Sequence, residues 1–465
     1  MRATAAAAVI SSVALLVACT SGTPDSPTVS APSSHSTALT SPPVAPSGSS
    51  AAPAGNADWP AYHGDSQRSG VSASMPAATG TLAATQVALT GQVYASPIVV
   101  GSTVIVATER NDVYGLDLSG RQRWRQSLGS PTPRSALPCG NIDPLGITGT
   151  PVYDAASRSV FVVASIGTTV QHQLVSLDPA TGAIRWRRSV DLPGTDAQAM
   201  QQRGALTVLD GRVWVPFGGL AGDCGAYKGR LVGVPTGNGD PIAYTVPTTR
   251  EAGIWTPPGA TSYAGQLLVA VGNGESVGGR YDYSDSVLRL AGNRLVDSFS
   301  PTSWASDNAA DLDLGSQGPA VVGQWVFIAG KSGIGYVLRA DRLGGIGGQV
   351  WQGRVCRSFG GTAVAGDTVY VPCTDGVRAV RISATGTASV RWHASASIAG
   401  SPVLGGGRVY ALDQSAGVLY ALDPATGAVR EKVVVGAVSR FATPAIGGSV
   451  LYVPTLSGIA VVHTR

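Results

Sequence analysis

The stretch Ser401–Val435, SPVLGGGRVYALDQSAGVLYALDPATGAVREKVVV, constrains the fold more than any other part of the chain. It divides into short runs of β-branched and aromatic residues, separated by Gly, Asp and a Pro-Ala-Thr-Gly loop, which is the rhythm of strands and tight turns. The spacing predicts strands over Ser401–Leu404, Arg408–Leu412, Val418–Leu422 and Ala428–Val435. In the last loop, Asp423 can hold the turn through its side chain, Pro424 fixes φ, and Gly427 is free to take positive φ. A single meander of this kind cannot bury both of its faces, so it needs neighbours built like itself.

The neighbours are present. VYGLDLSGRQRW falls within Ser96–Gly129, QLVSLDPATGAIRW within Gly149–Gly194 and RLVGVPTGNGDPIAY within Gly204–Val246. SVLRLAGNRLVDSF falls within Gly253–Ser300, GYVLRADRLGGIGGQVW within Leu314–Val355 and VRAVRISATGTASVRW within Ser358–Ile398. A period of about 40–50 residues built from short strands reads as a β-propeller. Phe441–Arg465 supplies only three strand-like runs, and Thr81–Thr90 offers the missing fourth from the other end. The expected fold is therefore all-β: an eight-bladed propeller of four-stranded antiparallel blades, closed by both termini so that no sheet edge of the ring stays open. Seven blades is the alternative, because blades three to five are irregular. Trp124, Trp186, Trp351 and Trp392 recur near the end of the fourth strand. They read as flat residues packed between blades.

Ahead of the repeats, Met1–Ala18 has an early Arg2, an apolar run and small residues at its end, the pattern of a secretory signal. Leu16-Val17-Ala18-Cys19 resembles a bacterial lipobox, in which Cys19 is lipidated. Thr20–Asn56 is almost entirely Ser, Thr, Pro, Ala and Gly, too poor in large apolar side chains to offset its ordering entropy. Residues 19–56 thus read as a lipidated tether and 57–465 as the propeller. This organisation predicts an exported protein held by its N-terminal lipid at the outer face of the bacterial cytoplasmic membrane.

Composition excludes some functions. Only 13% of residues are charged, the net charge is +4 and the arginines are scattered, so no electrostatic footprint for nucleic acid exists. The five histidines, at 35, 63, 172, 393 and 463, show no metal-ligand spacing. There is no P-loop or nucleophile elbow, and GGIGG at Gly344–Gly348 reads as a turn between strands.

Past Cys19, the cysteines Cys139, Cys224, Cys356 and Cys373 are even in number, which suggests disulfides in an exported domain. In an up-and-down blade, the segment between blades and the loop after the second strand emerge on one face. That topology favours the pairs Cys139–Cys224 and Cys356–Cys373. The same face gathers the long polar loops GGLAGDCGAYKGR, VGNGESVGGRYDYSDS, AGKSG and SDNAADLDLGS. Such a cluster at the mouth of a propeller channel is the default binding site. Lys331, in a chain whose only other lysines are Lys228 and Lys432, is a candidate for gripping an anion.

DWPAYHGDSQRSG (Asp58–Gly70), IWTPPGATSYAGQLLVAVGNG (Ile254–Gly274), SDSVLRL (Ser284–Leu290), DLDLGSQGP (Asp311–Pro319) and GKSGIGYVL (Gly330–Leu338) follow one another in a characteristic order. In this the chain resembles the quinoprotein propellers, the dehydrogenases that use pyrroloquinoline quinone (PQQ). It is most similar to the polyvinyl-alcohol-dehydrogenase-like branch and related propeller lipoproteins, with Asp58–Gly70 resembling the opening strand. The resemblance implies that Trp255 floors the quinone ring, Asn273 offers a side-chain oxygen to calcium, and Lys331 contacts the quinone oxygens. It implies that Asp311 is the carboxylate base, with Asp313 as a nearby alternative. There a hard cation would polarise the quinone and a carboxylate would take the alcohol proton. The calcium-ligating glutamate falls in GDCGAYKG, where this chain offers Asp223 and Cys224 instead. No Cys-Cys pair and no C-x-x-C-H haem site occur, so electrons would need an external acceptor. Two readings follow: a lipid-anchored propeller that binds a small ligand or a protein partner at its loop-rich face without redox chemistry, or a calcium- and PQQ-dependent alcohol or sugar dehydrogenase.

Overall fold

The computed structural model describes residues 58–395 and 397–464. The expected signal sequence (Met1–Ala18), the expected lipidation site Cys19 and the expected tether up to Asn56 lie outside the described residues. The strands form eight separate antiparallel sheets arranged as an eight-bladed propeller. In blades one to seven the four strands follow chain order from the inside outwards. Blade seven, for instance, consists of Val403–Gly405, Arg408–Asp413, Val418–Leu422 and Val429–Val434, close to the boundaries read from the repeat. Blade eight is made by both ends of the chain: Ala445–Gly447, Val450–Thr455 and Gly458–Thr464 are completed by Leu82–Ala88. The closing pair runs in unbroken register from Leu82 opposite Thr464 to Ala88 opposite Gly458.

The burial pattern explains why the inner strands read as near-continuous apolar runs. In blade one, Thr103–Ala107 and Asp112–Leu116 are buried at every position, because a blade sits on each side of them. Only the fourth strand alternates, as Ile184–Ser189 does in blade two. The core is accordingly a ring of inter-blade clusters; one of them joins Val104 and Tyr114 of blade one to Leu451 and Val461 of blade eight and Leu412 of blade seven.

The tryptophans act at these joints. Trp124 of blade one donates its indole N–H to the Pro179 carbonyl (3.2 Å), and Trp392 of blade six donates to that of Pro424 (2.8 Å). Each covers the Asp-Pro-Ala-Thr-Gly turn of the next blade. Within the turn of blade seven, Asp423 Oδ1 accepts the backbone N–H groups of Ala425 and Thr426, both at 3.0 Å. Gly427 closes that turn at φ +72°, and a Cβ there would lie 2.5 Å from the Trp392 ring. Gly427→Ala is therefore expected to cost at least about 1–2 kcal/mol from its left-handed backbone alone. Urea unfolding of the variant measures this directly.

Asp58–Gly70 departs from the expected opening strand. It crosses the ring on the side opposite the long loops and ties the inner strands together. Trp59 exchanges backbone hydrogen bonds with Val99 of blade one (2.9 and 3.0 Å). The Pro60 carbonyl accepts from Tyr153 of blade two, and Ser66 accepts from Ser262 of blade four (2.8 and 2.7 Å). Arg68, buried, donates to the Leu206 carbonyl (2.9 Å) and Thr207 Oγ1 (2.6 Å) of blade three. His63 bonds the Thr362 carbonyl and Thr443 Oγ1 near blades six and eight, at 2.8 and 3.0 Å. Burial pushes its imidazole pKa down to about 3, so this histidine is a neutral structural strut. Val71–Ser72 then pairs in parallel with blade seven. A second departure concerns Gly344–Gly348. Besides turning, its Gly345–Ile346 segment adds a short parallel strand to Phe299–Ser300 of blade four.

Candidate functional site

Opposite that plug, the loops enclose a cavity of about 640 Å³, the size of a small-molecule site. Its lining comes from segments between blades and from loops after second strands, so the topology does gather these loops on one face. Both disulfides brace them. Cys139 is bonded to Cys224 (Cα–Cα 6.1 Å) and Cys356 to Cys373 (Cα–Cα 5.6 Å).

The structure brings Asn273, Asp311, Asp313 and Lys331 together. The Lys331 ammonium sits between two carboxylates, 2.6 Å from Asp311 Oδ1 and 2.5 Å from Asp313 Oδ2. Although burial pulls this ammonium down, Asp313 and Asp311 raise its pKa above the ordinary value. Asn273 Nδ2 donates to Asp311 Oδ1 (2.6 Å), and its backbone N–H donates to Asp313 Oδ1. The aspartates differ in setting. Asp311, at φ +52°, is exposed at the rim, whereas Asp313 is buried. Burial raises the Asp313 carboxyl, and Lys331 opposes the rise. Asp313 is positioned by its neighbour: the Leu314 N–H donates to buried Asp285 Oδ1 (2.9 Å). Trp255 lies beneath this group. Gly272 leaves the necessary room, since a Cβ there would lie 2.8 Å from Trp255 Nε1 and would also collide with Asp313 Oδ1.

Asp223 lies on a separate arm of the lining. It is exposed, accepts from Tyr227 Oη (2.5 Å), and adjoins a cysteine locked in a disulfide. Beside it stand two residues that the repeat pattern did not single out. Arg250 pairs with Glu251 (2.5 Å) and donates to the Asp223 carbonyl (2.9 Å), and Glu251 lines the cavity. Burial raises the Glu251 carboxyl, Arg250 opposes this, and Asp223 adds to it.

The remaining lining is aromatic and cationic. Trp255 of blade four and Phe441, just before blade eight, meet across the propeller axis with ring centroids 6.2 Å apart. Arg203 lies over the Phe441 ring, with its Cζ 5.2 Å from the centroid. Arg440 stacks on Phe359 at 4.2 Å and on Phe441 at 5.4 Å. Sequence reading missed Arg203, Arg440 and Phe441, because they sit in inter-blade segments without periodicity.

Residues 67–345 and 292–465 match the family described as outer membrane protein assembly factor BamB. The chain belongs to the BamB-type PQQ-repeat family. No curated protein matches the sequence. Among solved structures, it is similar to BamB from Moraxella catarrhalis, with 17% identity over 83% of this chain and 98% of that one, at a TM-score of 0.57. It is also similar to quinohemoprotein alcohol dehydrogenase from Comamonas testosteroni, with 16% identity over 87% of this chain and 80% of that one (TM-score 0.64). Quinohemoprotein alcohol dehydrogenase ADHIIG from Pseudomonas putida HK5 gives 14% identity, 88% and 80% coverage, and a TM-score of 0.61. At these identities the likeness establishes the shared propeller. Members of the BamB-type PQQ-repeat fold thus include both an assembly factor and redox enzymes, and side-chain chemistry must separate the two for this chain.

The donor set does not fit calcium. That cation takes six to eight oxygens at roughly 2.3–2.6 Å. Among the described residues, no three His, Cys, Asp or Glu side chains converge as metal ligands. Asp311 and Asp313 are bridged by an ammonium, and Asp223 bonds Tyr227. Asn273 Oδ1 alone of the four candidate oxygens-bearing side chains is a buried acceptor without a partner among the described residues.

Proposed function

We propose that this protein is a lipid-anchored, extracytoplasmic propeller that binds a small ligand or a protein partner at its loop-rich face and carries out no redox chemistry. The observation that carries this reading is the position of Lys331. Its ammonium lies between Asp311 and Asp313, where a quinone dehydrogenase would need a free carboxylate base beside a cation held by oxygens. A base already paired to an ammonium has its lone pairs engaged. The family match to an assembly factor supports a binding role. The lipid anchor rests on the Leu16–Cys19 motif and the tether behind it.

The unpartnered Oδ1 of Asn273 and the Trp255 floor favour the second reading, a calcium- and PQQ-dependent alcohol or sugar dehydrogenase, and one assay separates the two. Supplied with PQQ, calcium, a panel of alcohols and sugars and an artificial electron acceptor, the protein is expected to reduce no acceptor above background. Turnover that disappears in Asp311→Asn or Asp313→Asn would overturn the binding reading.

A further inference from the structure

Each blade ends in an outer edge at the rim of the ring, and most of these edges are blunted. Blades one, two, six and seven carry exposed arginine on the outer strand, as Arg125, Arg187, Arg391 and Arg430. The outer strands of blades three and five are only four residues long, and that of blade four is partly covered by Gly345–Ile346. Charge, shortness and covering are the means by which sheets discourage edge-to-edge pairing. Blade eight uses none of them. Its outer strand, Leu82–Ala88, has seven residues with no charge and no proline, in unbroken register with Gly458–Thr464. No strand pairs with its far side among the described residues.

The backbone alternation settles which groups face that open side. Leu89 donates its N–H inward, to the Ser457 carbonyl (3.0 Å). Successive residues of a strand turn their backbone groups to opposite sides, so Leu82, Ala84, Gln86 and Ala88 direct N–H and C=O outward. The Gln86 side chain is tied back to the Val435 carbonyl of blade seven (3.1 Å) and leaves its own backbone clear. Apolar side chains stand on both flanks. The Gly120 turn of blade one packs on Val87, where a Cβ on the glycine would lie 2.7 Å away, and Leu118 of that turn is 41% exposed. Val434 of blade seven, next to the residue that holds Gln86, is 67% exposed.

The occupant that fits this edge is a second copy of it. An arginine-bearing edge repels its own copy, whereas an uncharged one does not. Antiparallel pairing about a two-fold axis at Thr85 matches every outward group. Ala84 would exchange both hydrogen bonds with Gln86 of the second copy, and Leu82 with Ala88. Thr85 would face its counterpart at a non-hydrogen-bonded position, with Cα atoms about 4.5 Å apart, where paired threonines are favourable. Such an interface is self-complementary and closes at two copies. The segment ahead of the propeller suits the edge poorly, since Thr20–Asn56 carries seven prolines and none can donate to a ladder.

We propose that Leu82–Ala88 is a self-pairing edge, through which two copies of this chain join blade eight to blade eight in one continuous antiparallel sheet. The proposal is independent of what the loop-face cavity holds.

Sedimentation of the full chain in detergent, at micromolar protein, is expected to show a dimer. Thr85 is exposed, so Thr85→Lys leaves the blade intact but sets two ammonium groups opposite each other; it should halve the mass. Thr85→Glu should do the same, and mixing the two variants should restore the dimer. Ala84→Pro removes one outward N–H and no bond of the blade, so it should give a monomer with the urea midpoint of the parent protein. Thr85→Cys should cross-link two copies on oxidation, because the paired positions lie within disulfide reach. Gln122→Cys, on the exposed outer strand of blade one, should not. A parent protein that sediments as a monomer would overturn the proposal and leave the edge to an extended segment of another protein. A dimer that survives both Thr85→Lys and Ala84→Pro would also overturn it, because the copies would then meet elsewhere.

Discussion

Replacing Trp59 with alanine is expected to cost about 3–5 kcal/mol of stability, the range for truncating a buried tryptophan. Trp59 is only 2% exposed and packs into the cluster that joins blades one, seven and eight. Its backbone pairs with Val99, and the adjacent Asp58 Oδ1 accepts the Gly101 N–H (2.6 Å). Asp58–Gly70 bonds within itself, as where Arg68 donates to the Tyr62 carbonyl (3.3 Å) and the Ser69 N–H to Asp65 Oδ1 (3.1 Å), but its course across the ring depends on anchors of this kind. Losing the first should release the segment and open the ring on the side away from the cavity. Urea unfolding measures the energy, and trypsin cleavage at Arg68, which is buried in the native protein, reports the release. Trp351→Ala provides a contrast, because that indole is half-buried on an outer strand and its removal should cost clearly less. A loss below about 1 kcal/mol in Trp59→Ala would mean that the plug is not a structural element of the ring.

Lys331→Ala is expected to destabilise the protein by about 3 kcal/mol at pH 7, the scale for removing one partner of a buried ion pair. The effect should depend on pH in a defined direction. The Asp313 carboxyl is already raised by burial, and Lys331 is what restrains it. Without the ammonium its folded-state pKa rises further, so the folded state binds a proton that the unfolded state releases. Stability of the variant should then fall as pH rises from the ordinary aspartate range towards neutrality. Below that range both states are protonated and the variant should approach the parent protein. Urea midpoints between pH 4 and pH 8 measure the gap. A gap that stays constant with pH would show that Lys331 acts through packing and not through charge.

Much of the fold was legible because a propeller repeats one local pattern. The DPATG turn, the Trp that covers it and the alternation of the fourth strand each recur with chain-local causes, and Leu82–Ala88 was identifiable because blade eight lacked a strand. The disulfides followed from topology, since one rule places the connecting loops on a common face. The plug was not legible. Asp58–Gly70 owes its course to bonds with residues up to hundreds of positions away, as between His63 and Thr443, and no local period encodes them. The site divides in the same way. Asn273, Asp311, Asp313 and Lys331 stand in motifs of fixed order, and the structure places them in mutual hydrogen-bond contact. Arg203, Glu251, Arg440 and Phe441 are single residues in aperiodic connections, and only the closure of the ring brings them to one cavity.

Direct calcium binding to the full chain tests the redox-free reading most sharply. Calorimetric titration of metal-free protein, with and without PQQ, is expected to reveal no site that fills at micromolar calcium. Stoichiometric uptake at that concentration, lost in Asn273→Ala and accompanied by displacement of Lys331 from its aspartates as a fall in the lysine pKa, would contradict that reading and return the cavity to quinone chemistry.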